Sequence, residues 1–138
     1  MRRRALRVLI ASGPTREPID PVRFLSNYST GLMGRCLAVE ALRRGHRVRV
    51  VSGPTSVPLP RGARVVWVEQ AQQMQQALRR QVRWADALIM AAAVCDFRPS
   101  TRSRQKLPRR PHASLSLSVI PDIVGALPRR KGQVIAGF

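Results

Sequence analysis

With 138 residues, 44% of them apolar, the chain is long enough to bury a hydrophobic core as one domain over 1–138. No apolar run is long enough to cross a bilayer, and the Met1-Arg-Arg-Arg start lacks the apolar segment of a signal peptide, so a cytoplasmic protein is expected. Two cysteines, Cys36 and Cys95, make neither a disulfide framework nor a metal site, and the net charge of +18, mostly arginine, points to anionic ligands.

Residues 8–11, Val-Leu-Ile-Ala, form an apolar run that predicts a buried parallel strand. A polar stretch of about twenty residues follows, and loops of that length inside a compact domain are usually functional. An amphipathic stretch over 32–44 predicts the first helix, with Ser29, Thr30 and Gly31 at its cap and Met33, Cys36, Leu37 and Ala41 facing a sheet. Cationic Arg43 and Arg44, then Gly45, are expected to close it. A strand, a polar loop and a helix N-terminus in that order build an anion site, because unpaired N–H groups and the helix dipole favour negative charge there.

Residues 46–51 predict a second strand near an edge, since Val48 and Val50 alternate with arginines. Ser-Gly-Pro-Thr at 52–55 repeats the same tetrapeptide at 12–15, each directly after a strand. Like loops after like strands fit a doubly wound sheet, whose ligands sit beyond the strands' carboxyl ends. Residues 63–68 predict a third strand; Ala71, Met74, Leu78 and Val82 mark one face of a second helix. The apolar run 86–91 predicts a central strand, and the small residues after it let a ligand approach the backbone.

Over 98–113 the composition shifts to proline, serine and basic residues, which predicts a mobile basic loop. Aromatics are few (4%) and do not interleave with it, which argues for a phosphate-bearing ligand over single-stranded nucleic acid. Leu115, Leu117 and Val119 alternate with serines as a half-exposed strand would. Pro121 in a first turn predicts a short helix over 121–127, and 134–138 begins a final strand. Cys36 and Cys95 read as small packing residues, and neither His46 nor His112 has a catalytic neighbour in sequence.

One family carries these stretches in the same order. Thr-Arg-Glu-Pro-Ile-Asp-Pro-Val-Arg-Phe-Leu-Ser-Asn at 15–27, Ser-Thr-Gly-Leu-Met-Gly at 29–34, Val-Ser-Gly-Pro-Thr at 51–55 and Met-Ala-Ala-Ala-Val-Cys-Asp-Phe-Arg-Pro at 90–99 closely resemble phosphopantothenate–cysteine ligase. Pro-Asp-Ile at 121–123 and Gly-Phe at 137–138 extend the resemblance over nearly the whole chain. In bacteria this family commonly forms the C-terminal half of a bifunctional coenzyme A biosynthesis flavoprotein.

The resemblance implies an α/β, Rossmann-like three-layer fold with a mostly parallel sheet, assembled as a homodimer. It implies that CTP, or ATP, with Mg²⁺ activates 4′-phosphopantothenate as an acyl-cytidylate, which the cysteine amine then attacks. By the same resemblance Asn27 and Lys106 are the catalytic pair, and Gly13, Ala92, Ala93, Asp96 and Phe138 meet the nucleotide. Ser29, Thr30, Gly31 and Gly34 form the substrate anion loop. No protein ligands are expected for the metal, no FMN is expected in this chain, and a separate phosphopantothenoylcysteine decarboxylase is a further expected partner.

Four features depart from the family pattern, one being Ile120 where an asparagine usually precedes Pro121-Asp122. Leu32 stands where the family often has lysine, and Pro108 and Arg109 replace two lysines of the family's phosphate-covering loop. The family domain continues with a Glu-Thr motif and another helix, so its C-terminal part is expected to be missing here. An inactive nucleotide-binding remnant or fragment is therefore the alternative reading, and a basic nucleic-acid-binding protein a more distant one.

Overall fold

The computed structural model describes residues 4–138. The first apolar run becomes β1 (Arg7–Ser12), buried along five of its six residues. A hairpin of two-residue strands, β2 (Glu17–Pro18) and β3 (Phe24–Leu25), leads to helix α1 (Leu32–Arg43). Then come β4 (Arg47–Ser52), β5 (Arg64–Trp67), α2 (Ala71–Gln81) with a 3₁₀ turn at Val82–Trp84, and β6 (Ala87–Met90). Last are β7 (Phe97–Pro99), β8 (Leu117–Val119) and β9 (Val134–Gly137).

A strand apolar on both faces is buried only when both faces are covered, and β1 accordingly lies at the centre. The main sheet runs β5-β4-β1-β6-β9 with every pairing parallel. Successive β1 side chains point to opposite sides. Leu9 and Ala11 join Val51, Leu88 and the Met74–Leu78 face of α2; Val8 and Ile10 join Val48, Val50 and the Ala38–Ala41 face of α1. Each fully buried Leu or Ile contributes about 1.5–3 kcal/mol, so the two cores hold both helical layers to the sheet. This is the three-layer α/β architecture expected.

Helix α1 ends as its sequence predicts. Gly45 is left-handed (φ 79), its N–H meets Leu42 O at 2.9 Å, and His46 N–H reaches Ala41 O at 3.0 Å. This is the six-to-one and five-to-two bonding of a Schellman stop. Its inward face is only partly the one expected. Gly34, Ala38 and Ala41 are buried, Leu37 is half-buried, and Met33 and Cys36 are exposed. A Cβ on Gly34 would lie 2.0 Å from Ser12 Oγ, so the helix turns its smallest residues to the sheet to come this close. The cap also differs: Gly31 itself, at φ 81, is the N-cap, with no side-chain cap bond, and the Thr30 hydroxyl reaches only the Leu32 N–H at 3.3 Å.

The second strand is next to the edge, with β5 outside it, and Arg49 stacks over Trp84 at 4.0 Å. The short helix expected over 121–127 does not form. Asp122 Oδ1 accepts the Val124 N–H at 3.0 Å, an Asx turn that competes with helix, and the segment is a run of turns. It still buries Ile123 and Leu127 against the α2 side of the sheet.

At the sheet's amino end Asp86 ties three elements. It accepts the Arg7 N–H at 2.9 Å, pairs with the Arg7 guanidinium at 2.8 Å and meets Arg130 at 3.1 Å. The Arg7 guanidinium and N–H, with Arg130, hold its carboxyl far below the usual carboxylate range. A depressed folded pKa stabilises above the ordinary carboxylate pKa, and that stability is lost as pH falls below about 4. Asp86→Asn should therefore lower the urea midpoint at pH 7 more than Glu69→Gln, and flatten the acid limb of the stability curve. Equal midpoints for the two variants would show that the triad contributes nothing.

Candidate functional site

In parallel α/β sheets ligands collect beyond the carboxyl ends of the strands. At that end β1 and β6 stay paired after the sheet stops. Ala93 N–H donates to Gly13 O at 2.9 Å, and Thr15 N–H returns to Ala93 O at 3.2 Å. The Asn27 amide nitrogen donates to the same Ala93 oxygen, while its Oδ1 accepts the Ser29 N–H at 3.1 Å. The Thr15 hydroxyl accepts the Cys95 N–H at 3.0 Å. The 13–27 loop and the 91–95 segment are thus bonded side by side.

Left-handed Gly13 (φ 74) lets the chain leave β1 in this direction. Thr55, from the second Ser-Gly-Pro-Thr loop, packs on Gly13 of the first and on Gly31 at the start of α1: a Cβ would lie 2.9 Å from its methyl at Gly13 and 2.4 Å at Gly31. Ser29 and Thr30 turn their hydroxyls onto their own backbone, at 3.4 Å from Gly31 N and 3.3 Å from Leu32 N. Gly34 packs on Ser12. The repeated tetrapeptide therefore builds one continuous floor from two loops.

Ala92, Asp96 and Phe138 line a cleft of about 390 Å³ together with Ile120, Asp122 and Val124. Lys106 is not there. It lines a separate depression of about 560 Å³ with Arg23, Arg109 and Arg110. Burial pushes the half-buried Cys95 thiol up, against the lowering effect of its contact with Thr15. Among the described residues no group of three His, Cys, Asp or Glu side chains is placed to hold a metal ion. Nor is any helix there long and apolar enough to cross a membrane.

Glu17, Asp20, Thr15, Thr55 and Asp122 were not singled out from the sequence. The signal available for the first two was scarcity: they are two of only seven acids in a strongly basic chain. Glu17 is 4% exposed and accepts the Ala71 N–H at 2.8 Å, fastening the loop to the start of α2. Burial raises its pKa, against the opposing pulls of that N–H and Arg98. A raised carboxyl pKa favours the fold at low pH, and that contribution is lost as pH rises through it. Glu17→Gln keeps the acceptor and removes the buried charge, so it should melt no lower than wild type at pH 7. Glu17→Ala should lose about 1 kcal/mol, as other lost caps do. Thermal melts at pH 5 and 7 check both, and a Gln variant melting as low as the Ala variant would refute the account.

Residues 4–138 match the family model of the DNA/pantothenate metabolism flavoprotein C-terminal domain. The coenzyme A biosynthesis bifunctional protein CoaBC of Vibrio vulnificus is 42% identical over 123 residues, 87% of this chain and 31% of that protein. Its Escherichia coli counterpart is 39% identical, over 96% of this chain and 34% of its own length. The chain thus spans about a third of these relatives.

The crystal structure of the C-terminal domain of a CoaBC protein superposes with a TM-score of 0.80 at 37% identity, covering 97% of this chain and 64% of that one. A Cab2 variant in complex with phosphopantothenate-cysteine shares the fold at a TM-score of 0.66 and 18% identity, over 88% of this chain and 60% of that one. The chain belongs to the family of DNA/pantothenate metabolism flavoprotein C-terminal domains.

Proposed function

We propose that this domain serves coenzyme A biosynthesis by joining 4′-phosphopantothenate to cysteine at the expense of CTP. The observation that carries the reading is the shared Ala93 peptide. Asn27 and Thr15 bond to its oxygen, and the segment it belongs to continues into the cleft wall at Ala92 and Asp96. An acid held by the 13–34 loop and a nucleotide held by 92–96 would meet across one strip of backbone. The phosphopantothenate-cysteine bound by a Cab2 variant of the same fold is in keeping with this.

In the reaction a carboxylate oxygen of the acid attacks the α-phosphorus, and the bond to the β-phosphate oxygen breaks. The acyl-cytidylate that results is attacked by the cysteine amine, and CMP leaves with the C–O bond pair. Neither step needs an enzyme nucleophile. What is needed is alignment and charge stabilisation. Asn27 is suited to the first, holding the acyl group beside Ala93. Lys106 is suited to the second once its loop is brought to the triphosphate. Mg²⁺, when bound, would neutralise phosphate charge, and with no cluster of protein ligands among the described residues it would arrive with the nucleotide. As in the family, the working unit would be a homodimer.

Incubation of the intact protein with CTP, 4′-phosphopantothenate, cysteine and Mg²⁺ should release pyrophosphate, and Lys106→Gln should slow that release about 10²-fold. CTP binding without pyrophosphate release would overturn the ligase reading in favour of a nucleotide-binding remnant. Unchanged release in Lys106→Gln would remove that lysine from the mechanism.

A further inference from the structure

The basic stretch 98–110 carries Arg98, Arg102, Arg104, Lys106, Arg109 and Arg110 and no acid, so its own charges push it outward. Three residues of the 15–27 loop hold it all the same: Ile19, Asp20 and Arg23. Asp20, whose side chain is fully buried, spends its two oxygens differently. Oδ1 accepts the N–H groups of Val22 (2.9 Å) and Arg23 (2.8 Å), closing the turn of the β2–β3 hairpin. Oδ2 accepts the Leu107 N–H at 3.1 Å and pairs with the Arg23 guanidinium at 2.8 Å. The same guanidinium donates to Leu107 O at 2.7 Å, and Ser103 N–H reaches Ile19 O at 2.9 Å.

We propose that Asp20 is a positioning residue for Lys106: its Oδ2, working with Arg23, grips Leu107 by its backbone N–H and C=O and docks the lysine-bearing segment onto the substrate loop. The grip uses only backbone atoms of Leu107, so the side chains of Lys106, Arg109 and Arg110 stay free to line their depression. Burial would raise the Asp20 pKa, but the N–H groups of Val22, Leu107 and Arg23 and the Arg23 charge outweigh it and lower it. The clamp therefore keeps its negative charge at neutral pH. It also sets where the loop starts from: beside Asn27's loop and not over the Asp96 cleft, so closure over a triphosphate becomes a swing about a held Leu107. The catalytic half of this inference rests on the ligase reading; the structural half does not.

Asp20→Asn separates the two oxygens. The amide keeps a carbonyl for the hairpin turn, but its NH₂ then faces the Leu107 N–H and the Arg23 guanidinium, donors against donors. In the intact protein, NMR amide exchange should find Leu107 protected, and Asp20→Asn should speed its exchange about tenfold or more while Val22 and Arg23 keep their protection.

Pyrophosphate release should fall about tenfold in Asp20→Asn, yet less than about twofold when the change is made on Lys106→Gln, since residues acting through one another are not additive. The same fall in both backgrounds would make Asp20 merely structural and overturn the positioning role. A Leu107 amide unprotected in the wild type would overturn the clamp itself. Absent pyrophosphate release with a protected Leu107 would instead refute the ligase reading and leave the clamp standing.

Discussion

Gly53→Ala should lower the stability of the protein by about 3 kcal/mol, at the upper end of what overpacking costs. A Cβ at Gly53 would lie 1.7 Å from Pro14 O and 2.8 Å from Pro14 C. These are backbone atoms, so no rotamer change relieves the clash. The Pro14 segment cannot retreat freely either, because Gly13 O and Thr15 N–H are bonded to Ala93 on its other side. Something in the stack of three loops must part. The melting temperature should drop by roughly 10 °C, on the usual conversion for a chain of this size. Gly137→Ala is the control, since a Cβ there meets nothing within 4 Å. Melting of Gly53→Ala within about 2 °C of that control would mean that the two Ser-Gly-Pro-Thr loops are not packed as described.

Asn27→Asp should reduce pyrophosphate release about 10³-fold while changing the melting temperature little, if the ligase reading is right. The side chain is exposed, so the loss is one of geometry more than of burial. Aspartate still accepts the Ser29 N–H, but it sets a negative oxygen against Ala93 O where the asparagine donated a proton. The loop would be pushed off the nucleotide strip, and the new charge would repel a phosphorylated acid. Asn27→Ser, which can still donate, should recover part of the rate. A single-turnover measurement of pyrophosphate separates this from slow product release. Wild-type rates in the aspartate variant would leave Asn27 as a turn residue only.

Part of this molecule was legible in the chain because it rests on local chemistry. The five sheet strands, both helices and the Gly45 stop follow from periodicity and backbone preference within a few residues of each other. The place of the candidate site followed from the repeated tetrapeptide after two strands, and its residues entered through resemblance. Ala92, Asp96 and Phe138 do share a cleft, and Asn27 does reach Ala93. Lys106 belongs to a different depression, a fact that no alignment carries.

The rest was decided only when distant segments met. Which face of α1 turns inward depended on Ser12, which admits Gly34 and nothing larger, so hydrophobicity found Leu37 and Ala41 but misplaced Met33 and Cys36. Whether 121–127 made a helix depended on an Asp122 side chain that competed for a backbone N–H. The hairpin of 17–25 and the Asp20 grip on Leu107 join groups with no common period, and the latter lie 87 residues apart. Sequence by itself determined the layers, because burying apolar surface at a fixed period has few solutions. The tertiary structure alone decided the joints between loops, because each is a handful of hydrogen bonds or a missing Cβ that no pattern along the chain records.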